Sequence, residues 1–468
     1  MCGIVGILGH KHAATSIYDS LIHLQHRGQD AAGIVTCDNK LHRAAGPGLV
    51  RSVITQPNIK NLPGNFGIGH VRYPTAGSVD NIKEIQPFIV NQPYEMAFAH
   101  NGNLVNQKWL AKHLKETYKI NLKTGSDSEI LCNLFAAGMK TAPKSSDLFA
   151  QICHATKILH KLVQGSYSMV ICLAGHGLVA LRDPHGIRPL VYGKKPNGKY
   201  IFASEPTMFF TFDFEDIFNV EPGEVIFVNT EGKLHKKIIS QKPFSTCFFE
   251  YVYFSRPDST LDNINVYRAR LRMGQNLAEA WLKKHPDIRP DVVIPAPSTS
   301  NTAALSFANI LGIRYSEGIY KNPFISRTFI MPTDSERKKS VRYKLCPQPF
   351  EIKGKDVLVL DDSIVRGTTS KEIVSMLKSS GAKKIYFVTT CPPVKFPCFY
   401  GIDIPTSREL IAANKSIEEI KEYLGVDELL YQSIEDVVEA ITRKGNHHVK
   451  NPCLACLNGK YLHRKKDD

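Results

Sequence analysis

Residues 357–370, VLVLDDSIVRGTTS, concentrate the side chains best suited to chemistry. Two adjacent carboxylates, Asp361 and Asp362, close an apolar run, and Ser363, Arg366, Gly367, Thr368 and Thr369 follow at once. Paired carboxylates suit Mg²⁺ or the hydroxyls of a sugar. Small hydroxyl residues and a glycine ahead of a helix offer backbone N–H groups and the positive helix end to an anion. One kind of ligand satisfies both halves: a phosphorylated sugar carrying a metal-bound pyrophosphate. An ordinary βα turn would share the hydroxyls but has no use for the acidic pair.

A second set of reactive types lies near residue 1. Cys2 follows Met1, and a small second residue permits Met1 to be removed. The thiol would then sit beside an α-amine, ordinarily of pKa about 8, able to serve as its base. Alone, such a cysteine is as readily accidental. HRGQD at 26–30, HVRYPTAG at 70–77, HNGNL at 100–104 and TGSDSE at 124–129 change that. Asn101 offers a side-chain amide and Gly102 an unshielded backbone N–H, a pair suited to a developing oxyanion. Arg72 is a planar fork for a carboxylate, and Asp127 can accept from an ammonium. These are the parts needed to hydrolyse the side-chain amide of an amino acid.

Elements to position them can be read from apolar spacing. Residues 3–8 form a strand leading away from Cys2, and Ile17, Leu21 and Leu24 mark a helix ending at HRGQD. Residues 165–173 and 177–182 alternate as paired strands, 200–204 and 224–228 read as later strands, and 146–162 as a covering helix. The turn RDPHGIRPL at 182–190 follows; His176 and His185 are read as solvated. Residues 231–245 are polar and basic and mark a boundary. Beyond them, a helix at 266–281, a strand at 291–294, a Pro/Ser/Thr loop at 295–302 and a βαβ rhythm up to 390 imply a mostly parallel sheet. Residues 357–360 are its doubly buried strand, and ligands of such sheets sit beyond the strand ends, where Thr299 and Asp361 both fall.

The 468 residues suit two domains, and 43% apolar residues support real cores. No apolar run nears the ~20 residues needed to span a bilayer, and the opening lacks a basic leader segment, so a cytoplasmic enzyme is expected. The net charge of +15 favours anionic partners. The excess is dispersed, with denser patches at 337–344 and 464–466 that lack interleaved aromatics, so substrate phosphates explain it better than nucleic acid. Eleven cysteines in such a chain point to metal, catalysis or packing rather than disulfides.

Residues 357–370 resemble the phosphoribosyl pyrophosphate (PRPP) motif of type I phosphoribosyltransferases. The opening MCGIVGI with the four later motifs resembles the glutaminase domain of the N-terminal-nucleophile (Ntn) amidotransferases. Together they are similar to the glutamine PRPP amidotransferases, and FFEYVYFSRPDS at 248–259 is similar to the segment opening the second domain there. The resemblance implies an αββα Ntn-hydrolase glutaminase domain over 2–235, a type I phosphoribosyltransferase domain over 247–440 and a tail at 441–468. It implies ammonia transfer from glutamine to PRPP, giving 5-phosphoribosylamine, glutamate and pyrophosphate at the entry to purine synthesis. Cys2, Asn101 and Gly102 would be catalytic, and Arg27, Arg72 and Asp127 would bind glutamine. Asp361, Asp362, Ser363, Arg366, Gly367, Thr368 and Thr369 would bind PRPP, with Thr299, Asp361 and Asp362 at Mg²⁺.

The basic stretch at 326–345 matches a flag that closes over PRPP in the family, making Arg327, Lys338, Arg342 and Lys344 candidates for the pyrophosphate. KNPFIS at 321–326 departs from the family's KNRYVG, so Pro323 stands where a phosphate contact is usual. Cys247, Cys398, Cys453 and Cys456 match the ligands of a [4Fe–4S] cluster in the iron–sulfur branch. Four thiols suit Zn²⁺ as well, with His447 and His448 nearby, so zinc is the alternative. Cysteines 37, 132, 153, 172, 346 and 391 read as packing residues. Purine nucleotide feedback and a homotetramer are further family implications. Two rival readings fit less well: a PRPP-responsive DNA-binding regulator has no use for the Cys2 constellation, and another Ntn amidotransferase has none for Asp361 and Asp362.

Overall fold

The computed structural model describes residues 1–73, 82–323, 344–404, 406–442 and 449–463. Thirteen strands come first: β1 (Gly3–Leu8), β2 (Ala31–Cys37), β3 (Leu41–Pro47), β4 (Phe66–Arg72), β5 (Phe88–Val90), β6 (Met96–Leu104), β7 (Gly165–Leu173), β8 (Gly177–Arg182), β9 (Val191–Lys194), β10 (Tyr200–Ala203), β11 (Asp216–Asn219), β12 (Glu224–Asn229) and β13 (Leu234–Ile238). They form two antiparallel sheets, ordered β11-β9-β10-β1-β4-β2-β3 and β13-β12-β8-β7-β6-β5. Strand residues facing the other sheet are fully buried: Ile4, Val35 and Ile68 meet Ala97, Val170 and Ala180 in one apolar layer. Helix Ala13–His23 covers the outer face of the first sheet, burying Ile17 and Leu21. Helices Asp127–Lys140 and Leu148–Leu162 cover the second. This is the expected αββα arrangement.

The polar stretch read as a boundary is not wholly a linker. β13 lies inside it and pairs with β12, from Glu224 opposite Ile238 to Val228 opposite Leu234. An edge strand needs no apolar alternation on its solvent face, which is why polar spacing hid it. His185 also differs from expectation. It is buried, its Nδ1 lies 2.9 Å from the Pro243 carbonyl, and its ring meets His463 edge-on at 5.4 Å.

A short hairpin, β14 (Thr260–Leu261) with β15 (Ile264–Asn265), leads into the long helix Val266–Lys284. The second main sheet is built from β16 (Val292–Pro295), β17 (Arg314–Tyr315), β20 (Asp356–Asp361), β21 (Lys384–Thr389) and β22 (Glu428–Tyr431). β18 (Ile319–Lys321) and β19 (Leu345–Pro347) pair antiparallel beside it. Its order is β17-β16-β20-β21-β22, and every pairing in it is parallel. Val357, Leu358, Val359 and Leu360 on the central β20 are fully buried, contributing alternately to the cores on the two faces. The strand ends deliver Asp361 to the same edge as the loop after β16.

Candidate active sites

Cys2 precedes β1 in the middle of the first sheet and is almost completely buried. Its backbone N–H donates to Asn101 Oδ1 at 3.1 Å, and its thiol contacts the Tyr73 carbonyl at 3.7 Å. The first of these bonds turns Asn101 so that its Nδ2 points elsewhere. That amide is fully buried and, among the described residues, has no hydrogen-bond partner. A buried donor left empty costs roughly 1–3 kcal/mol, so an arriving acceptor would relieve it. Burial pushes the Cys2 thiol up, the terminal amine and Arg72 pull it back, and Asp127 adds to the rise. The thiol thus lies within electrostatic reach of Arg72, at the end of β4, and of Asp127, the first residue of helix Asp127–Lys140. Arg72 Nη2 lies 3.3 Å from Glu84 Oε2.

Gly102 continues β6 with φ +155°, and a Cβ there would stand 2.0 Å from the Ser166 carbonyl. A Cβ on Gly401, from the far half of the chain, would in turn come within 3.0 Å of Gly102 backbone atoms. Two glycines allow that approach where no side chain fits. Asn103 Nδ2 donates to Phe399 O at 3.0 Å, and Ser166 Oγ to Tyr400 O at 2.8 Å. The segment bearing Cys398 therefore lies directly on the strand that carries Asn101 and Gly102.

Arg27, expected at the glutamine site, lies directly against the nucleophile. Its guanidinium is fully buried. Nε donates to the Cys2 carbonyl at 3.1 Å, Nη2 to Glu250 Oε1 at 2.9 Å, and Nη1 reaches Glu205. Glu205 also accepts from His26 Nε2 at 2.8 Å, Arg256 N at 2.9 Å and Ser259 Oγ at 2.7 Å. Burial alone would raise the Glu205 carboxyl, yet His26 and Arg27 hold it far below the usual range. Neither Glu205 nor Glu250 was expected. Glu250 stood inside the recognised FEYVYF segment, which forms a π-helical turn at Glu250–Phe254. Nothing local marks Glu205.

The second site is a cavity of about 750 Å³ beyond the carboxyl ends of β16 and β20, lined by Thr299, Arg270, Lys321, Lys344 and Thr369, with His26 and Gln29 from the first half. Asp361 and Asp362 are both buried. Burial, reinforced by its neighbour's charge, pushes the Asp361 carboxyl well above its ordinary range. Asp362 is also raised by burial, against the pull of the Ser363 and Thr299 hydroxyls and the charges of Arg270 and Lys321. Ser363 Oγ donates to Asp362 Oδ1 at 2.8 Å. Such a pair calls for a cation or hydroxyl donors. Gly367, φ +79°, caps helix Thr368–Ser379, whose first turn has no side-chain cap, so its N–H groups are available to an anion. Arg366 instead reaches outward to Glu409 at 3.4 Å. Arg270, missed by sequence reasoning, is brought down to about 10 by burial and feels Asp362 and Glu205. Arg327, Lys338 and Arg342 lie outside the described residues, as do His447 and His448.

Cys247 pairs with Cys453 in an isolated parallel bridge, and Cys453 N donates to Thr246 O at 2.7 Å. The N–H groups of Lys395 and Phe396 donate to Cys456 O at 3.1 and 3.0 Å, and Tyr400 N to Cys398 Sγ at 3.3 Å. Burial pushes the Cys456 thiol well up, and Cys398, Cys247, Cys391 and Cys453 each act on it electrostatically. Among the described residues, no three His, Cys, Asp or Glu side chains are grouped to hold a metal ion. The four thiols are buried or half-buried and within electrostatic reach of one another, with the Arg188 guanidinium as a cation beside Cys247 and Cys398. A thiolate-bound group of net negative charge fits that donor set.

A nucleophilic cysteine on an αββα sandwich, joined to a parallel sheet with an acidic pair and an open helix start, defines a glutamine amidotransferase coupled to a phosphoribosyltransferase. Comparison with known proteins agrees. Residues 70–211 match the glutamine amidotransferase domain family. The chain is 48% identical to amidophosphoribosyltransferase of Pseudomonas aeruginosa, covering 99% of this chain and 93% of that one. It is 46% identical to amidophosphoribosyltransferase of Escherichia coli, covering 100% and 94%. The solved structure of glutamine PRPP amidotransferase from B. subtilis, complexed with ADP and GMP, superposes with a TM-score of 0.87 at 38% identity, over 100% of this chain and 98% of that one. The chain belongs to the amidophosphoribosyltransferase family.

Proposed function

We propose that the two sites act in succession on one reaction: glutamine and PRPP give 5-phosphoribosylamine, glutamate and pyrophosphate, at the entry to purine biosynthesis. With Met1 removed, the Cys2 amine takes the thiol proton and the thiolate attacks the side-chain carbonyl of glutamine. The oxyanion is received by Asn101 Nδ2 and the Gly102 N–H. Arg72 holds the α-carboxylate and Asp127 the α-ammonium. The proton passes to the leaving nitrogen, ammonia departs, and water releases glutamate from the thioester. Arg27 holds the nucleophile in place through the Cys2 carbonyl. The observation that carries this reading is the Asn101 amide: its Oδ1 accepts from Cys2 N and its Nδ2 is buried with no acceptor among the described residues.

Ammonia then displaces pyrophosphate at C1 of PRPP, away from bulk water. Asp361 and Asp362, with Thr299, hold the ribose and its Mg²⁺, which when bound offsets the charge of the pyrophosphate. Ser363 and the stretch from Arg366 to Thr369 cradle the 5-phosphate, and Lys344 with Arg327, Lys338 and Arg342 meets the pyrophosphate. Cys247, Cys398, Cys453 and Cys456 hold a structural [4Fe–4S] cluster; zinc is the competitor. Purine nucleotides are the proposed inhibitors, in keeping with the ADP and GMP of the B. subtilis complex. A cytoplasmic homotetramer completes the reading. No helix among the described residues is long and apolar enough to cross a membrane.

The experiment is glutaminase activity of anaerobically purified enzyme with and without Mg-PRPP, counting glutamate and pyrophosphate together. Near-equal release, strongly raised by PRPP, is expected. Glutamate release indifferent to PRPP and without pyrophosphate would sink the coupled reaction. Iron, sulfide and zinc analysis of the same sample decides the cofactor.

A further inference from the structure

Arg188 lies in the RDPHGIRPL turn, whose part in the molecule the two half-reactions leave unexplained. Its side chain is fully buried. The turn is held from both sides. The Arg188 carbonyl accepts from Arg182 Nε at 2.7 Å and from Ser168 Oγ at 3.1 Å. Arg182 is itself locked to Asp262 by Nη1–Oδ1 at 2.7 Å and Nη2–Oδ2 at 3.0 Å. One residue earlier, the Ile187 carbonyl accepts from Cys247 N at 3.1 Å. The turn is therefore fastened to the backbone of a candidate cluster ligand.

The guanidinium is incompletely satisfied. Nη1 lies 3.4 Å from Glu250 Oε1 and against Met1 Sδ. Nε and Nη2 are buried and, among the described residues, meet no acceptor at ordinary hydrogen-bond geometry, although the Cys247 thiol lies close enough to act on the cation as a hydrogen-bond partner. A buried cation with two such donors is costly unless an anion fills them. The side chains acting on it most strongly are Cys247, then Glu250, then Cys398. Two of these three are candidate ligands of the four-cysteine site.

We infer that Arg188 is the outer-sphere positioning residue of the four-cysteine site, its Nε and Nη2 donating to the ligated sulfurs of Cys247 and Cys398. This rests on the proposed cluster. N–H···S bonds draw electron density from ligating sulfur, ease reduction and retard oxidative loss. Glu250 accepts from both Arg188 and Arg27, and Arg27 holds the Cys2 carbonyl. The charge of the cluster and the seat of the nucleophile thus share one buried chain of ion pairs.

The test uses full-length wild type, Arg188→Lys and Arg188→Met, purified without oxygen. Iron and acid-labile sulfide per chain, far-UV circular dichroism, the midpoint potential and the rate at which the sulfur-to-iron absorption bleaches in air are measured. Lys keeps the charge but not the planar fork; Met keeps neither. The expected order of ease of reduction is Arg, Lys, Met. Met should lose about a factor of ten in the reduction equilibrium, about 59 mV for one electron, and bleach about tenfold faster. Loss of iron and sulfide from a folded Met variant, restored by Lys, would support the same role. Loaded variants with unchanged potential and bleaching rate would overturn it. If Met fails to fold, the Lys variant alone decides, since an unshifted Lys variant refutes the donor role. Wild type without iron or sulfide would instead overturn the cluster reading beneath it.

Discussion

Replacing Asn101 by alanine separates catalysis from folding unusually cleanly. Nδ2 is buried and has no partner among the described residues, so a bond to the proposed oxyanion would form without displacing one. Loss of one such donor lowers kcat by about 10²–10³, or about 2.7–4 kcal/mol. Stability should change little, because two effects oppose each other. Alanine removes a buried empty donor, a gain of roughly 1–3 kcal/mol, but strands the Cys2 N–H that now donates to Oδ1, a loss of the same size. The melting temperature should shift by no more than a few degrees. The assay is glutaminase kinetics alongside pyrophosphate release driven by added ammonium. Glutamine KM should hold, since Arg72 and Asp127 remain, and the ammonium-driven rate should be unchanged. A glutaminase loss under tenfold, or an equal loss of the ammonium-driven rate, would refute the oxyanion assignment.

Asp361→Asn should cut PRPP-dependent pyrophosphate release at least about a hundredfold while raising the melting temperature of the ligand-free enzyme at neutral pH. Its folded carboxyl is raised, so whatever it contributes to stability is complete below the ordinary carboxyl pKa of about 4 and is lost as pH rises; a lower melting point would contradict this. Glu205→Gln should cost about 3 kcal/mol by leaving Arg27 under-compensated. Since that carboxyl is depressed in the folded state, the penalty should be full above pH of about 4 and shrink in acid, as urea titrations at several pH values would show. Gly401→Ala, with φ +95° and Gly102 atoms 3.0 Å from the new Cβ, should lower glutaminase activity and stability by ~2 kcal/mol; an unaffected glutaminase rate would mean the contact does not shape the oxyanion strand.

What the sequence disclosed and what it hid divide along a physical line. Short-range rules governed β20, whose four apolar residues before two carboxylates could only be a buried strand delivering Asp361 to its end. Type and adjacency likewise marked Asn101 and Gly102 as candidate oxyanion donors, and the structure places both on β6 beside Cys2. β13 was lost because an exposed edge strand carries no apolar signature. The ion pairs of Arg27 escaped notice because its partners are 178 and 223 residues away, beyond any spacing argument. Glu205, Arg270 and Arg188 escaped for the same reason. A buried charge is recognisable only by its counter-charges, and here those come from distant strands. His185 read as solvated because burial of a turn depends on what later folds over it, in this case His463 and Pro243.

The contact between Asn103 and Phe399 spans 296 residues. A ribosome adding about 5–20 residues per second would need about 15–60 s to cover that interval. Throughout it the strand bearing Asn101 and Gly102 lacks its outer packing, because Phe399, Tyr400 and Gly401 have not been made. The nascent first half can collapse its sandwich in that time, but its oxyanion strand stays unbraced. The order of synthesis therefore leaves this strand to be completed only once the second half of the chain has been made.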